Sequence, residues 1–130
     1  MNARDFAPFA LRIGMALVVL WFGVSQVIDP SAWTGFLPSW LPSLGMTPQT
    51  HIIINGAVEI IVSLALLAGF WTRIAAIIAA VHMYAVTVAV GYSAVGVRDF
   101  GLFMGLVAVA LYGADYLTFD AWRARKKSVL

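Results

Sequence analysis

The sequence predicts an all-α integral membrane protein, a four-helix bundle, from its apolar composition and its four long hydrophobic segments. Of the 130 residues, 62% are hydrophobic and only 11% are charged, and the mean hydropathy is +0.93. A soluble domain is about 45–50% apolar and about 25% charged, and a span needs about 20 apolar residues. We therefore predict one domain, residues 1–130, with a basic tail over 118–130 and four spans at about 8–28, 48–70, 73–92 and 97–117.

Capping and breaking residues mark the ends of these spans. The "DP" pair at positions 29–30 ends the first span, because proline cannot continue a helix and restricts the residue before it. Thr47 and Pro48 are typical of an N-cap and the first helical position of the second span. Gly69 can end that helix, and Thr72 is expected to cap the third, which gives a tight helical hairpin.

The basic residues predict the orientation of the chain in the membrane. One side of the spans has only Arg98, and the other side has seven residues: Arg4, Arg12, Arg73, Arg123, Arg125, Lys126 and Lys127. The positive-inside rule places both termini in the cytoplasm, with the protein a multi-pass component of the cell (inner) membrane. Because the basic residues lie at membrane edges, a pI near 9.3 does not indicate a nucleic-acid partner.

The absence of cysteine limits the chemistry of the chain. It excludes disulfides, thiol exchange, iron–sulfur clusters and thiolate metal sites. No metal site is predicted, since His51 and His82 lie at different depths, and no catalytic residue can be assigned. No covalent cofactor is predicted either, so a redox role would require a bound quinone or another cofactor, or a partner.

The connection between the first two spans, "DPSAWTGFLPSWLPSLGMTPQT", is apolar and aromatic. It has no Lys or Arg, and every third or fourth position is large and apolar: Trp33, Phe36, Leu37, Trp40, Leu41 and Leu44. Pro38 and Pro42 argue against one long regular helix. Two interpretations stay open at this point: an aromatic anchor at headgroup depth, or a lid over a pocket between the helices.

Polar residues inside the second and third spans are the main candidates for function. Asn55, Glu59 and Ser63 are four residues apart and form one stripe, which must face the bundle because lipid offers no hydrogen-bond partner. Glu59 lies 11 residues before Phe70, and His82 lies 11 residues after Trp71. Both are therefore about 16 Å from the turn, and this equal depth allows a contact between them without establishing one.

The Glu59–His82 pair has a structural and a functional interpretation. It can be a hydrogen bond that stabilises the packing of the two helices by about 1 kcal/mol, or a site that binds a polar head group or passes a proton. Alone among apolar side chains, Glu59 would be neutral and would donate a hydrogen bond. Beside a protonated His82 it could ionise as half of a buried pair.

Charged residues at the two membrane edges extend the set of candidates. Arg98 and Asp99 form either a solvated local ion pair or the outer rim of the pocket, where Arg98 would hold an anionic or carbonyl group. At the other edge Arg12 can snorkel or pair with Asp115, in an architectural role.

Small residues four apart suggest close helix packing. They are Gly101 and Gly105 in the fourth span and two alanine pairs in the third, Ala75 with Ala79 and Ala76 with Ala80. Such residues let helix backbones approach, within one chain, in a homo-oligomer, or against a partner helix.

Three segments resemble the DoxX family of small four-span membrane proteins. They are "LRIGMALVVLWFGVSQVI", "NGAVEIIVSLALLAGFWTRIAAIIAAVHM" and "RDFGLFMGLVAVALYGADYLTFD". Within this resemblance Glu59 is the glutamate of the "GAxEI" stretch, and Gly113 and Asp120 match the glycine and later aspartate that follow the last span. The chain departs from the pattern at Gln26, where many relatives carry lysine, and at Asp115, where a second glycine is common.

The resemblance implies a redox-linked membrane subunit, since the family includes a subunit of thiosulfate:quinone oxidoreductase. The expected function is a quinone-interacting or accessory subunit beside a partner membrane or peripheral redox subunit. The expected ligand site is Asn55, Glu59, His82, Arg98 and Asp99, with Glu59 and His82 exchanging hydrogen bonds or protons. The alternatives are a non-enzymatic assembly or scaffold protein, and a small-solute or proton carrier.

Overall fold

The computed structural model describes residues 3–41 and 44–128, and within them the chain is helical, with no β-strand. The helices are α1 (Ala3–Ile28), α2 (Pro48–Ala68), α3 (Thr72–Val90), α4 (Ala94–Tyr112) and α5 (Phe119–Lys127), and a 3₁₀ helix (Pro30–Phe36) follows α1. The first four α-helices are long and apolar enough to cross a membrane. The predicted all-α fold with four membrane-spanning helices is confirmed.

The ends of α2 follow the sequence signals, whereas those of α3 and α4 differ from expectation. The Thr47 hydroxyl accepts a hydrogen bond from Thr50 N at 3.2 Å, and Gly69 ends α2 in the left-handed conformation, at φ +66°. The helix α4 begins at Ala94 rather than at 97, because the Ser93 hydroxyl caps it by accepting from Gly96 N at 3.0 Å. It ends at Tyr112 rather than at 117, with Gly113 at φ +81°.

A fifth helix occupies most of the segment that the sequence predicts as a basic tail. The Thr118 hydroxyl caps α5, and the Asp120 carboxylate accepts from Trp71 N at 3.0 Å and from Thr72 N at 2.7 Å. The expectation that Thr72 caps α3 is therefore wrong: Thr72 is the first residue of α3, and its buried hydroxyl donates to Asp120. The cap of α3 comes from α5, 48 residues later in the chain.

We expect Asp120→Ala to lower the free energy of unfolding by about 0.5–2 kcal/mol, the usual cost of removing a helix cap. The variant leaves the N–H groups of Trp71 and Thr72 without their acceptor. Unfolding in mixed detergent micelles measures the loss. Asp120→Asn keeps one acceptor oxygen and is expected to lose less; an equal loss in both variants would contradict the capping role.

The bundle consists of two closely packed helix pairs, α1 with α2 and α3 with α4, with fewer contacts between the pairs. The α1–α2 pair is in backbone contact, since a Cβ added at Gly56 would lie 2.7 Å from the carbonyl oxygen of Gly23. Small side chains of α3 form much of the shared core: Ala75, Ala76, Ala79 and Ala80. Gly105 of α4 is used within the chain too, because a Cβ there would meet Met15 Sδ at 2.5 Å.

A buried ion pair connects the two helix pairs at one end of the bundle. The Arg12 guanidinium donates to the Asp115 carboxylate, with Nε 2.6 Å from Oδ2, and both side chains are only 1% exposed. Arg12 also donates to the carbonyl oxygens of Leu66 and Leu67 at the end of α2. The predicted pairing with Asp115 is confirmed, and the Arg12 head group does not snorkel. The α2–α3 turn and α5 lie at this same end of the bundle.

Candidate functional site

Four polar side chains from three helices meet inside the other half of the bundle. Glu59 of α2 accepts from Gln26 Nε2 at 3.0 Å and from Asn55 Nδ2 at 3.2 Å, and His82 Nε2 lies 3.2 Å from Glu59 Oε1. Asn55 also donates to Gln26 Oε1 at 2.8 Å. We call Gln26, Asn55, Glu59 and His82 the polar cluster. Equal depth left the contact between Glu59 and His82 open, and the structure shows that the two side chains do meet.

The glycine crossing of α1 and α2 positions the polar cluster. Gln26 lies three residues after Gly23, and Glu59 lies three residues after Gly56, so each polar residue is about one turn beyond the backbone contact. Ideal Cβ atoms at the two glycines would lie 3.0 Å from the Cβ atoms of Glu59 and Gln26 respectively. Close backbone approach at this point is what lets the short amide and carboxylate side chains meet.

Burial divides the polar cluster into an inner and an accessible part. Glu59 is 2% exposed and Gln26 is also buried, whereas Asn55 is half-buried and the side chain of His82 is 19% exposed. The predicted stripe does face the bundle. Its third member, Ser63, donates to the backbone oxygen of Glu59 at 2.6 Å and makes no contact with the polar cluster's side-chain oxygens and nitrogens.

The polar cluster borders a cavity of about 240 Å³ that is lined mainly by apolar and aromatic groups. The polar part of the lining is Gln26, Asn55, Glu59 and His82, and another part comes from the connection after α1: Trp33, Phe36, Leu37, Pro38, Trp40 and Leu41. That connection therefore borders the cavity, as the lid interpretation requires. It also presents aromatic surface outward, as expected of an anchor, since Trp40 is 67% exposed. Pro42 lies outside the described residues.

The charged residues Arg98 and Asp99 line the same cavity from α4. They form the expected local ion pair, with Arg98 Nη2 2.7 Å from Asp99 Oδ1. The Arg98 guanidinium also lies 4.7 Å from the ring centroid of Phe22 in α1, within cation–π distance. Asp99 is buried, whereas the Arg98 side chain is 47% exposed, so part of its donor capacity faces outward. All five predicted site residues thus border one cavity.

Gln26 is the member of the site that sequence reasoning missed. It lies near the end of an apolar helix, at the outer edge where Arg98 and Asp99 begin the fourth span, and it departs from the lysine of many relatives, but it was not among the predicted site residues. The structure buries it and gives it hydrogen bonds to both Asn55 and Glu59. The signal that could have identified it is Gly23 one turn earlier, paired with Gly56 one turn before Glu59.

Together these features define a multi-pass helical membrane protein with a polar cluster at the wall of an apolar cavity. The chain matches the DoxX family model over residues 7–92 and belongs to the DoxX family. The matched range includes the whole polar cluster and ends before Arg98 and Asp99. No curated protein and no solved structure matches the chain.

Proposed function

We propose that this DoxX family member is a quinone-interacting or accessory subunit of a membrane oxidoreductase system in the cell (inner) membrane. The observation that supports the proposal is the polar cluster beside an apolar, aromatic cavity. A quinone needs the same combination: apolar walls for the ring, and a few polar groups that fix its two oxygens. Ligand pockets in general are mostly apolar with a small number of placed polar groups.

The size of the cavity suits a ring-sized head group. Pockets for drug-sized ligands are about 300–1,000 Å³, and this cavity is about 240 Å³. The polar cluster would hold the quinone oxygens, and Trp33 and Trp40, both of which line the cavity, would supply apolar contact for the ring. Its apolar tail would extend into the lipid that surrounds the spans.

A bound quinone supplies two-electron, two-proton acceptor chemistry, and the electrons would come from a partner membrane or peripheral subunit. Of the two protons that reduction requires, the chain's own residues can hold and deliver one, and the second would have to come from water. Glu59 Oε1 and His82 Nε2, 3.2 Å apart, can share one proton, and no described residue bonds His82 Nδ1. Asn55 and Gln26 hold the carboxylate in place, and the outward part of the Arg98 guanidinium can donate to a carbonyl oxygen.

We expect Glu59→Gln to weaken the binding of a short-chain quinone by about tenfold or more. The change puts an amide donor where Gln26 and Asn55 now point donors at a carboxylate, and hydrogen bonds to a charged group contribute about 1.5–3 kcal/mol. Quenching of tryptophan emission in protein reconstituted in nanodiscs measures the affinity. The matched control is Ser63→Ala, one turn along the same helix and outside the cavity lining, which should bind as the wild type does.

A second readout concerns turnover with the native partner. Quinone reduction by membranes carrying a folded Glu59→Gln, His82→Ala variant should fall, because the shared proton between Oε1 and Nε2 is lost. Reduction at the wild-type rate, together with unchanged quinone affinity, would refute the proposed role of the polar cluster.

A further inference from the structure

The helix α5 presents a surface that the proposed function does not use. Apart from Ala124, its exposed side chains are aromatic or basic: Phe119, Trp122, Arg123, Arg125, Lys126 and Lys127. Its single acid, Asp120, bonds the backbone of the α2–α3 turn and so is turned toward the bundle. The outward face of α5 is therefore positively charged and has no acidic side chain of its own. We call these six residues the α5 surface.

The attachment of α5 fixes its depth relative to the membrane-spanning helices. Asp120 N donates to the carbonyl oxygen of Gly69 at 3.0 Å, and the Asp120 side chain caps α3. A Cβ at Gly69 would lie 2.5 Å from Thr118 Cβ, so the two segments are in direct contact. Because this turn ends two spans, α5 begins at the membrane edge. Nine residues of helix extend about 14 Å, too short to cross the hydrocarbon.

Aromatic rings continue from the α2–α3 turn onto α5. The ring centroids of Phe70 and Trp71 are 5.1 Å apart, those of Phe70 and Phe119 are 5.8 Å apart, and those of Phe119 and Trp122 are 5.4 Å apart. All four rings are exposed. Exposed aromatic side chains at the end of membrane spans are typical of headgroup depth. The start of α5 is consequently placed at the level of the headgroups.

The charges of the α5 surface are only partly used within the protein. Arg125 stacks on Tyr116 at 4.2 Å and donates to its backbone oxygen, and Lys126 lies 5.4 Å from the ring centroid of Trp122. All four basic side chains of the α5 surface are exposed. An anionic partner at headgroup depth would complement them.

We propose that the α5 surface binds the headgroups of anionic phospholipids, with Phe119 and Trp122 lying among the headgroups and Arg123, Lys126 and Lys127 contacting the phosphates. A basic helix with aromatic side chains at the interface binds through buried apolar area and attraction to anionic lipid. The proposal stands on α5 and the α2–α3 turn alone, and it is independent of any ligand in the cavity.

The test uses the full chain in nanodiscs of equal parts phosphatidylglycerol and phosphatidylcholine, followed by native mass spectrometry of the retained lipids. We expect the wild type to retain phosphatidylglycerol preferentially. Each basic residue near an anionic surface strengthens the attraction about fivefold, so the preference should fall by more than about fivefold in R123Q/K126Q/K127Q, where three are removed. The control R123K/K126R/K127R keeps every charge and should keep the preference.

Three outcomes would overturn the proposal. The first is an unchanged phosphatidylglycerol preference in the glutamine variant, with its helix content and melting temperature equal to those of the wild type. The second is loss of the retained lipid on adding inorganic phosphate at millimolar concentration, which would indicate a site for a small free anion. The third is an acidic protein that co-purifies in stoichiometric amount with the wild type and with R123K/K126R/K127R, while neither of them prefers phosphatidylglycerol. That result would assign the α5 surface to a protein partner.

Discussion

Asp115→Ala is expected to destabilise the bundle by about 3–5 kcal/mol, because it leaves a buried arginine without its counter-ion. The Arg12 side chain is only 1% exposed, and its Nε lies 2.6 Å from Asp115 Oδ2. The guanidinium cannot reach water without breaking its present contacts. The carbonyl oxygens of Leu66 and Leu67 would remain as acceptors but would not neutralise the charge. Unfolding by SDS in mixed micelles, followed by helix content, measures the loss.

The matched control removes both charges. R12M/D115A replaces the ion pair by apolar groups, and a buried pair is seldom a net gain over apolar packing, so the double variant should be more stable than Asp115→Ala alone. The coupling between the two positions is then given by a double-mutant cycle. If the free energy of unfolding of Asp115→Ala lies within about 1 kcal/mol of the wild-type value, this role of the pair is contradicted. A loss that small is at the low end of what removing one hydrogen-bond partner costs.

Gly56→Ala is expected to destabilise the protein by about 1–3 kcal/mol, the usual cost of overpacking a filled interface. The added Cβ would lie 2.7 Å from the carbonyl oxygen of Gly23, which is backbone and cannot rotate away. The helices α1 and α2 must then separate, which moves Gln26 away from Glu59 and disturbs the polar cluster. Stability and quinone affinity should therefore fall together in this variant.

The chain offers a matched control at Gly101. This glycine is also helical, but no atom lies within 4 Å of an added Cβ. Gly101→Ala is expected to be neutral or to stabilise the helix by up to about 1 kcal/mol, since alanine is the better helix former. Equal effects of the two alanine substitutions would show that the α1–α2 contact at Gly23 and Gly56 is not close-packed.

The spans and the equal depth of Glu59 and His82 were predictable from the sequence because both depend on quantities that run along the chain. Span length follows from the thickness of the hydrocarbon, and equal depth follows from counting residues to the α2–α3 turn. The Arg12–Asp115 contact was predictable for a similar reason: a buried charge inside a span needs a partner at the same depth.

The role of Gln26 could not be derived from depth alone, because it depends on how α1 crosses α2. A crossing at Gly23 and Gly56 brings the helix axes close and turns Gln26 toward Glu59, and helical periodicity does not specify which small residues form the crossing. The contact of Gly105 could not be derived for the same reason. The spacing of small residues fits packing against a partner helix and against Met15 of the same chain equally well.

The helix α5 and the position of the aromatic connection were also beyond the sequence. The α5 segment is polar and short, so isolated propensity is weak, and its start depends on contacts of Thr118 and Asp120 with the α2–α3 turn. The spacing of Trp33 and Trp40 fits an anchor and a lid equally well. Only the path of the chain places both rings at the wall of the cavity.

The most direct test of the proposed function is native mass spectrometry with lipid extraction, on protein purified gently from its own membrane. We predict that the wild type and Ser63→Ala retain a quinone and that Glu59→Gln does not, because the ligand depends on the carboxylate that Gln26, Asn55 and His82 surround. Wild-type protein that retains no quinone, and instead carries a stoichiometric subunit, would contradict the quinone-interacting role and leave only the accessory one. Glu59 would then be assigned to helix packing, and the function would have to be sought in that subunit.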